Sequence, residues 1–423
     1  MDFALSRIED MNFQSKYHRD WRNSSHCVHP YTAKMLPQIS EFLINKYTSS
    51  DCVILDPFCG SGTTLLEANL LGRKAVGFDI NPLSILITRA KTTPLSVDET
   101  SAAINKLFDN IAHSTQKCSL VFPNIDYWFS EHAKDELYRI KIALESQKKE
   151  LNADIYNFLL MCFSAIIRKS SNADPYMAKT YKSKRVINRI FTGWSPTPIQ
   201  YFKDIVVKNL DSLQTTFPNE HRSSSKAFHG DARETSELLI KNKVDKVDTV
   251  ITSPPYINAQ DYFRSYKLEL WWLGLATPKE VYALNKKAIG TEYISRANLT
   301  EIPRIECKFL DEILLKIWQK GEKGRRKSYV VANYFSSMRT VFSQFEDILD
   351  SNAFVCMITG NNTICETEIP TYRILMEIAE EHDFELRKIY RDSIKSRMLF
   401  KNRNHNGGII KEEWITIFKK KTS

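Results

Sequence analysis

The thirty residues DCVILDPFCGSGTTLLEANLLGRKAVGFDI, positions 51–80, constrain the fold more than any other stretch of the chain. Residues 51–55 are a short apolar run of strand character, and 63–72 have helical periodicity closed by a glycine. Residues 74–80 are a second apolar run. Strand, helix and strand within about thirty residues predict a parallel α/β sheet, because parallel neighbours need a crossover of that length. Helices are then expected on both faces.

The turn between the first strand and the helix, ILDPFCGSGTT at 54–64, is rich in chemistry. Gly60 and Gly62 remove Cβ atoms where a backbone turns sharply or closes on a ligand. A dinucleotide fingerprint would place a third glycine where Leu65 stands, and the Gly-Lys-Ser/Thr of a phosphate-binding loop is missing. The expected ligand is nucleoside-like and lacks a pyrophosphate. Asp79 ends the second strand, seventeen residues past Gly62, where an acid in a doubly wound fold accepts both hydroxyls of a ribose. A tight turn with a solvated acid is the plain alternative, and the strand–loop–helix–strand–acid order argues against it.

The character of the chain changes between 96 and 225. EHAKDELYRIKIALESQKKE at 131–150 places Leu137, Ile140 and Leu144 on one helical face. FLLMCFSAII at 158–167 stops at Arg168, too short to span a bilayer, and reads as a buried helix. Strand character resumes at KVDTVIT (246–252), lapses between 261 and 328, and returns in AFVCMITG, FELRKIY and EEWITIFKK, with a helix at YRILMEIAEEH. One α/β domain formed by residues 1–95 and 226–423 is expected, with a mainly helical insertion at 96–225 and a second insertion at 261–328.

Composition narrows the class. The chain has 423 residues, is 43% hydrophobic and carries a net charge of +9, a mild excess that permits nucleic-acid binding without demanding it. No basic leader precedes an apolar core, so no signal peptide is expected. The eight cysteines form no C-x-x-C pair, which speaks against a zinc ribbon and fits reduced thiols in a cytoplasmic protein. The cluster His26, Cys27 and His29 lacks a second ligand pair, and no metal is expected.

The loop, the segment DPFCGSGTT…GRKAVGFDINP and the later TSPPY together closely resemble the S-adenosylmethionine-dependent DNA amino-methyltransferases of bacterial restriction–modification systems. These enzymes methylate cytosine N4 or adenine N6. RNSSHCVHPYTAKMLPQI at 22–39 is similar to the segment that precedes the glycine loop in many of them, and HGDARE at 229–234 to their third cofactor motif. The resemblance covers about 200 residues and implies a Rossmann-like class I methyltransferase sheet with S-adenosyl-L-methionine as cofactor. The implied cofactor contacts are Tyr31 and Thr32 near the methionine end, then Asp56, Pro57, Phe58, Gly60, Ser61, Gly62 and Thr63 of the loop. Asp79, Ile80, Asn81, Asp231 near the adenine amine, Ala232 and Ser253 complete the set.

The tip DTVITSPPYIN, 248–258, ends a strand in Ser253, Pro254, Pro255 and Tyr256. Prolines end strands because they lack the N–H that a ladder needs. An exocyclic amine on a nucleobase is a poor nucleophile, and methyl transfer needs its lone pair localised and aimed. Ser253 Oγ and the Pro254 carbonyl are suited to accept the two amine protons, with the prolines fixing the carbonyl's direction. Tyr256 offers a face for a base flipped out of the duplex. A proline-capped strand with a packed tyrosine is the bland alternative, weakened by the cofactor loop elsewhere in the chain. Within the resembled family, serine at the first position of the tip accompanies cytosine N4 methylation, and Asp or Asn adenine N6.

RKSSNADPYMAKTYKSKRVINR at 168–189 interleaves tyrosines with cations. Arg168, Lys182, Lys184 and Arg185 are candidate contacts to double-stranded DNA, against the alternative of a solvated basic loop. KGEKGRRK (320–327) and KSRMLFKNR (395–403) carry the same signal more weakly, and LELWWLG (268–274) reads as helix core rather than a base wedge. The large insertion precedes HGDARE, which departs from the family's usual arrangement and leaves open which insertion reads the target. The expected function is cytosine-N4 methylation of DNA, with a cognate restriction endonuclease as a partner. Adenine N6 methylation and RNA base methylation are the enzyme alternatives, and a non-catalytic nucleic-acid-binding protein is the other class. RNA enzymes with a related tip usually carry a binding module ahead of the cofactor domain, whereas a degenerate binder would show damage at Gly60, Gly62, Asp79 or Ser253. All four are intact.

Overall fold

The computed structural model describes residues 8–13, 23–177, 179–218, 225–257, 262–294, 299–394 and 410–422. Its strands are β1 (Ile8–Met11), β2 (Val53–Asp56), β3 (Lys74–Asp79), β4 (Ser225–His229), β5 (Thr249–Thr252), β6 (Phe354–Gly360), β7 (Asn362–Ile364), β8 (Thr367–Ile369), β9 (Phe384–Ser393) and β10 (Glu412–Lys420). Eight of them form one sheet in the order β1-β9-β10-β6-β5-β2-β3-β4, while β7 and β8 make a separate hairpin. β2 to β6 run parallel, and β10 is antiparallel to both β6 and β9. β1 extends the far edge by pairing parallel to β9.

Both faces of the central strands are covered, which explains why they read as unbroken apolar runs rather than alternating ones. Leu55, Val76, Val250 and Val355 face the 28-residue helix Gly321–Ile348, which supplies Val330, Val331, Phe335, Met338 and Phe342. Their neighbours Ile54, Ala75, Ile251 and Cys356 face the opposite side, where Ile39, Leu43, Leu65 and Ala68 are packed. The alternation follows from the two-residue period of a strand. Methyltransferase-like α/β architecture with helices on both faces is thus the observed fold.

Among the described residues, 97–216 hold five helices of seven residues or more, and three of the long ones carry side-chain caps. Ser96, Ser130 and Asn152 each accept a backbone N–H at the start of helices Val97–His113, Glu131–Gln147 and Ala153–Ile167. The apolar run at 158–167 lies inside the last of these, with Phe158, Leu159, Met161 and Phe163 buried. Among the described residues no helix is long and apolar enough to cross a membrane. The bundle packs on helix Pro82–Thr92 through Leu83, Leu86 and Ile87. Phe263, Leu268 and Trp272, from beyond the tip, bury into the same core, whereas Leu310, Ile313 and Ile317 join the cluster around helix Gly321–Ile348. The charge run 320–327 belongs to a different layer, because all but its first residue lie in the first turns of helix Gly321–Ile348.

Candidate active site

The chain runs from β2 outward to β3 and β4, then returns to the other side of β2 as β5. Open α/β sheets bind ligands at such a reversal, in the crevice beyond the carboxyl ends of the strands. The glycine loop leaves β2 here and the Ser-Pro-Pro-Tyr tip leaves β5. Thr252 Oγ1 donates to Asp56 Oδ1 at 2.6 Å and ties the two strand ends together. A cavity of about 840 Å³ opens between them, bounded by the loop, Asp79 to Asn81, Asp231, the tip and the segment around Tyr31. That volume lies in the upper part of the usual range for ligand pockets, roughly 300–1,000 Å³.

The loop's conformation depends on its glycines. Gly62 has φ +74°, and a Cβ there would sit 2.5 Å from Thr88 Cγ2. It caps helix Thr63–Leu70 from behind and, unlike its neighbours, does not face the cavity. Gly60 has φ +50°, and its N–H donates to Asp79 Oδ2 at 2.9 Å. Asn81 N donates to Asp79 Oδ1 at 2.8 Å. The Ser84 hydroxyl also bonds the carboxylate; a carboxylate offers about four lone-pair sites, so Asp79, which lines the cavity, keeps acceptor capacity for one ligand hydroxyl. Burial raises the pKa of Asp79 to about 6, against the two amide bonds that lower it. Burial likewise raises Asp56 to about 6 despite its bond from Thr252.

The segment ahead of the loop is pinned through polar contacts. His26 Nε2 and Glu67 Oε1 are 2.7 Å apart in the interior, and Lys34 Nζ donates to the carbonyls of His26 and His29. Among the described residues no cluster of three metal-ligating side chains forms. The pinned segment presents Tyr31 and Thr32 to the cavity. Tyr31 stacks on Tyr266 with centroids 4.8 Å apart, and on Tyr262 at 6.0 Å. Tyr266 Oη accepts from Thr32 N at 2.6 Å. Tyr262 and Tyr266 escaped the sequence reading; their i, i+4 spacing just beyond the tip was the available signal.

Asp231 accepts from Arg233 Nε at 3.0 Å and Nη2 at 2.6 Å. Burial alone would raise its pKa, but the guanidinium outweighs that and holds it below the usual carboxylate range. The carboxylate is therefore charged and fixed in direction where it lines the cavity.

At the tip, Ser253 Oγ donates to the Ile358 carbonyl at 3.3 Å. With its proton so committed, the hydroxyl presents lone pairs rather than a donor. Pro254, Pro255 and Tyr256 line the same cavity. Tyr256 Oη donates to Glu413 Oε1 at 3.3 Å, and its ring lies against Gly360, where a Cβ would stand 3.2 Å from Tyr256 Cε2. Glu413 is buried on β10 and borders the cavity. Nothing in the local sequence marks it, since only the register of β10 against β6 brings it there.

Arg168, expected among the DNA contacts, turns inward instead. Its Nη1 donates to the Met177 carbonyl at 2.6 Å, Nη2 bonds Thr180 Oγ1 and the Ser265 carbonyl, and Nε pairs with Glu269 at 3.6 Å. With three hydrogen bonds and an ion pair, the guanidinium braces the loop and is turned away from a phosphate. Lys182, Lys184 and Arg185 lie outside the cavity, whereas Lys179 and Arg326 line it. The sequence KSRMLFKNR lies outside the described residues. Trp272 is fully buried, as helix core should be.

Residues 6–88 match a family model for N6/N4 methyltransferases described as DNA methylase. The chain is 25% identical over 425 residues to the Type II methyltransferase M.MvaI of Kocuria varians, covering 95% of this chain and 91% of that one. It is 26% identical over 394 residues to the Type II methyltransferase M.BsoBI of Geobacillus stearothermophilus, covering 83% and 76%. A shorter match, 32% identical over 81 residues, joins 19% of the chain to 22% of the tRNA (guanine(10)-N2)-dimethyltransferase of Methanocaldococcus jannaschii. The sheet order and crevice suit a methyltransferase that uses S-adenosyl-L-methionine. By the match of residues 6–88 and by these two relatives, the chain is similar to Type II DNA methyltransferases.

Proposed function

We propose that this enzyme transfers the methyl group of S-adenosylmethionine to the N4 amine of a cytosine flipped out of double-stranded DNA. The observation that carries the proposal is the convergence of the glycine loop and the Ser-Pro-Pro-Tyr tip on one cavity, with the Ser253 proton turned away to Ile358.

The residues present fit the cofactor. Asp79 has acceptor capacity left for a ribose hydroxyl, and Asp231 is a fixed charged acceptor for an adenine amine. The loop backbone turns without side chains at Gly60 and Gly62. When bound, S-adenosylmethionine supplies a methyl group on a sulfonium centre open to nucleophilic attack. Tyr31, Thr32 and Tyr262 line the cavity, with Tyr266 stacked behind Tyr31.

At the tip, Tyr256 gives the extruded base a stacking face, held by Glu413 and Gly360. Ser253 Oγ accepts one amine proton and the Pro254 carbonyl the second, which localises the nitrogen lone pair and aims it. The methylated amine then loses a proton to a nearby acceptor or water. Serine rather than a carboxylate or amide at position 253 supports cytosine over adenine. The product is a modified site that a cognate endonuclease would spare. Residues 96–225 and 261–328 are the regions proposed to read the target.

Nucleoside mass spectrometry of duplex DNA treated with enzyme and cofactor tests the reading. N4-methylcytosine is expected. N6-methyladenine alone would overturn the choice of base, and methyl transfer to RNA without any to DNA would overturn the substrate.

A further inference from the structure

Between Asp174 and Asp204 the chain contains no acidic residue, while Lys179, Lys182, Lys184, Arg185, Arg189 and Lys203 fall within it. Asp174 itself is buried, accepting from Tyr176 N at 2.9 Å and Ser183 Oγ at 2.5 Å. Lys179 borders the cavity. From there the chain leads into the eight-residue helix Lys184–Phe191, capped by Ser183 and anchored by the buried Val186.

The outward face of that helix sets two exposed apolar side chains among Lys184, Arg185 and Asn188. Phe191 is 92% exposed, and Ile187, one turn earlier on the same face, is 50% exposed. The helix end is held rigidly: Trp194 N donates to the Arg189 carbonyl at 3.1 Å, and the Arg189 guanidinium lies 3.5 Å from the Trp194 ring centroid. Exposed apolar side chains on a fixed support, flanked by cations, mark an interaction site rather than a folding defect. The surrounding charge is complementary to phosphate. Four residues separate Lys179 from the helix, so Phe191 stands at most about 28 Å from the cavity rim. That is less than one turn of a DNA duplex, roughly 34 Å.

We propose that Phe191, seconded by Ile187, is an apolar wedge that enters the base stack of the bound duplex beside the nucleotide extruded into the cavity. The inference rests on the DNA methyltransferase reading above. Apolar side chains inserted between base steps unstack and bend a duplex, and extrusion of a paired base is opposed by its stacking and pairing. A wedge lowers that opposition only when the target is paired.

Phe191→Ala in the full-length enzyme tests this, assayed on a duplex carrying the methylated site and on the same duplex mismatched at the target. Single-turnover methylation of the matched duplex should fall about tenfold or more, and 2-aminopurine at the target position should lose its enzyme-induced fluorescence gain. On the mismatched duplex the rate should return to within about twofold of wild type, because little pairing remains to be broken. Equal rates of variant and wild type on the matched duplex would overturn the proposal. An equal loss on both duplexes would also overturn it, since Phe191 would then serve docking. If instead the wild-type enzyme methylates neither duplex, the underlying reading fails, whatever the variant does.

Discussion

Replacing Asp79 separates the cofactor reading from a purely structural role for that carboxylate. Gly60 N and Asn81 N, at 2.9 and 2.8 Å, and the Ser84 hydroxyl take three of its roughly four lone-pair sites, which leaves acceptor capacity for a ribose hydroxyl. Hydrogen bonds to a charged group contribute about 1.5–3 kcal/mol net. Asp79→Ala should therefore weaken S-adenosylmethionine binding by roughly 10- to 150-fold. The variant also strands two amides at the loop, so Asp79→Asn, which keeps one acceptor, provides the milder comparison and should fall between it and wild type. Titration calorimetry with the cofactor reads both, and thermal melting without cofactor shows whether each variant is folded. A folded Asp79→Ala protein with wild-type affinity would remove the carboxylate from the site.

Four further outcomes follow from the geometry. Because burial raises Asp79 to about 6, the free protein protonates it below that pH; cofactor affinity should be flat above about pH 6 and fall roughly tenfold per unit below it. In Asp79→Asn that break should vanish, and its persistence would assign the titration elsewhere. The same raised values at Asp79 and Asp56 mean that the folded state binds more protons than the unfolded one between about pH 4 and 6, so unfolding free energy should decline as pH rises through that window. Tyr256→Ala should weaken capture of the flipped base by about 1–3 kcal/mol, and Tyr256→Phe, which loses only the bond to Glu413, by less; equal losses would mean that the ring does not stack. Neutralising Lys182, Lys184 and Arg185 together should flatten the slope of log affinity against log salt by about 0.9 for each lost duplex phosphate contact, and an unchanged slope would make the segment a solvated loop.

The central sheet and most of the cavity were legible in the sequence because they depend on local signals. Apolar runs of four to seven residues, a glycine turn whose φ only glycine tolerates, and prolines after a strand each speak for themselves. β1 and β4 were too short or too mixed to stand out, and Ser225–His229 has only one fully buried position. The charge run at 320–327 concealed the start of a core helix, because its first turn projects beyond the sheet before Val330 and Val331 reach it. Arg168 was misjudged as a surface cation because nothing nearby announces Glu269, which lies about a hundred residues on. Glu413, Tyr262 and Tyr266 reach the site only through tertiary register. The cavity's walls could be read from motifs, and its lining from the far strands could not.

The central claim is that the tip acts on the base and not on the cofactor. Ser253→Ala measures this most directly, since among the described residues the Ser253 hydroxyl bonds the Ile358 carbonyl and its loss leaves Asp79, the loop and the Tyr31 stack in place. Cofactor affinity should remain within about twofold of wild type, while the single-turnover methylation rate falls by about tenfold or more, the scale of one hydrogen bond made in the transition state. A variant that methylates duplex DNA at the wild-type single-turnover rate would contradict the account.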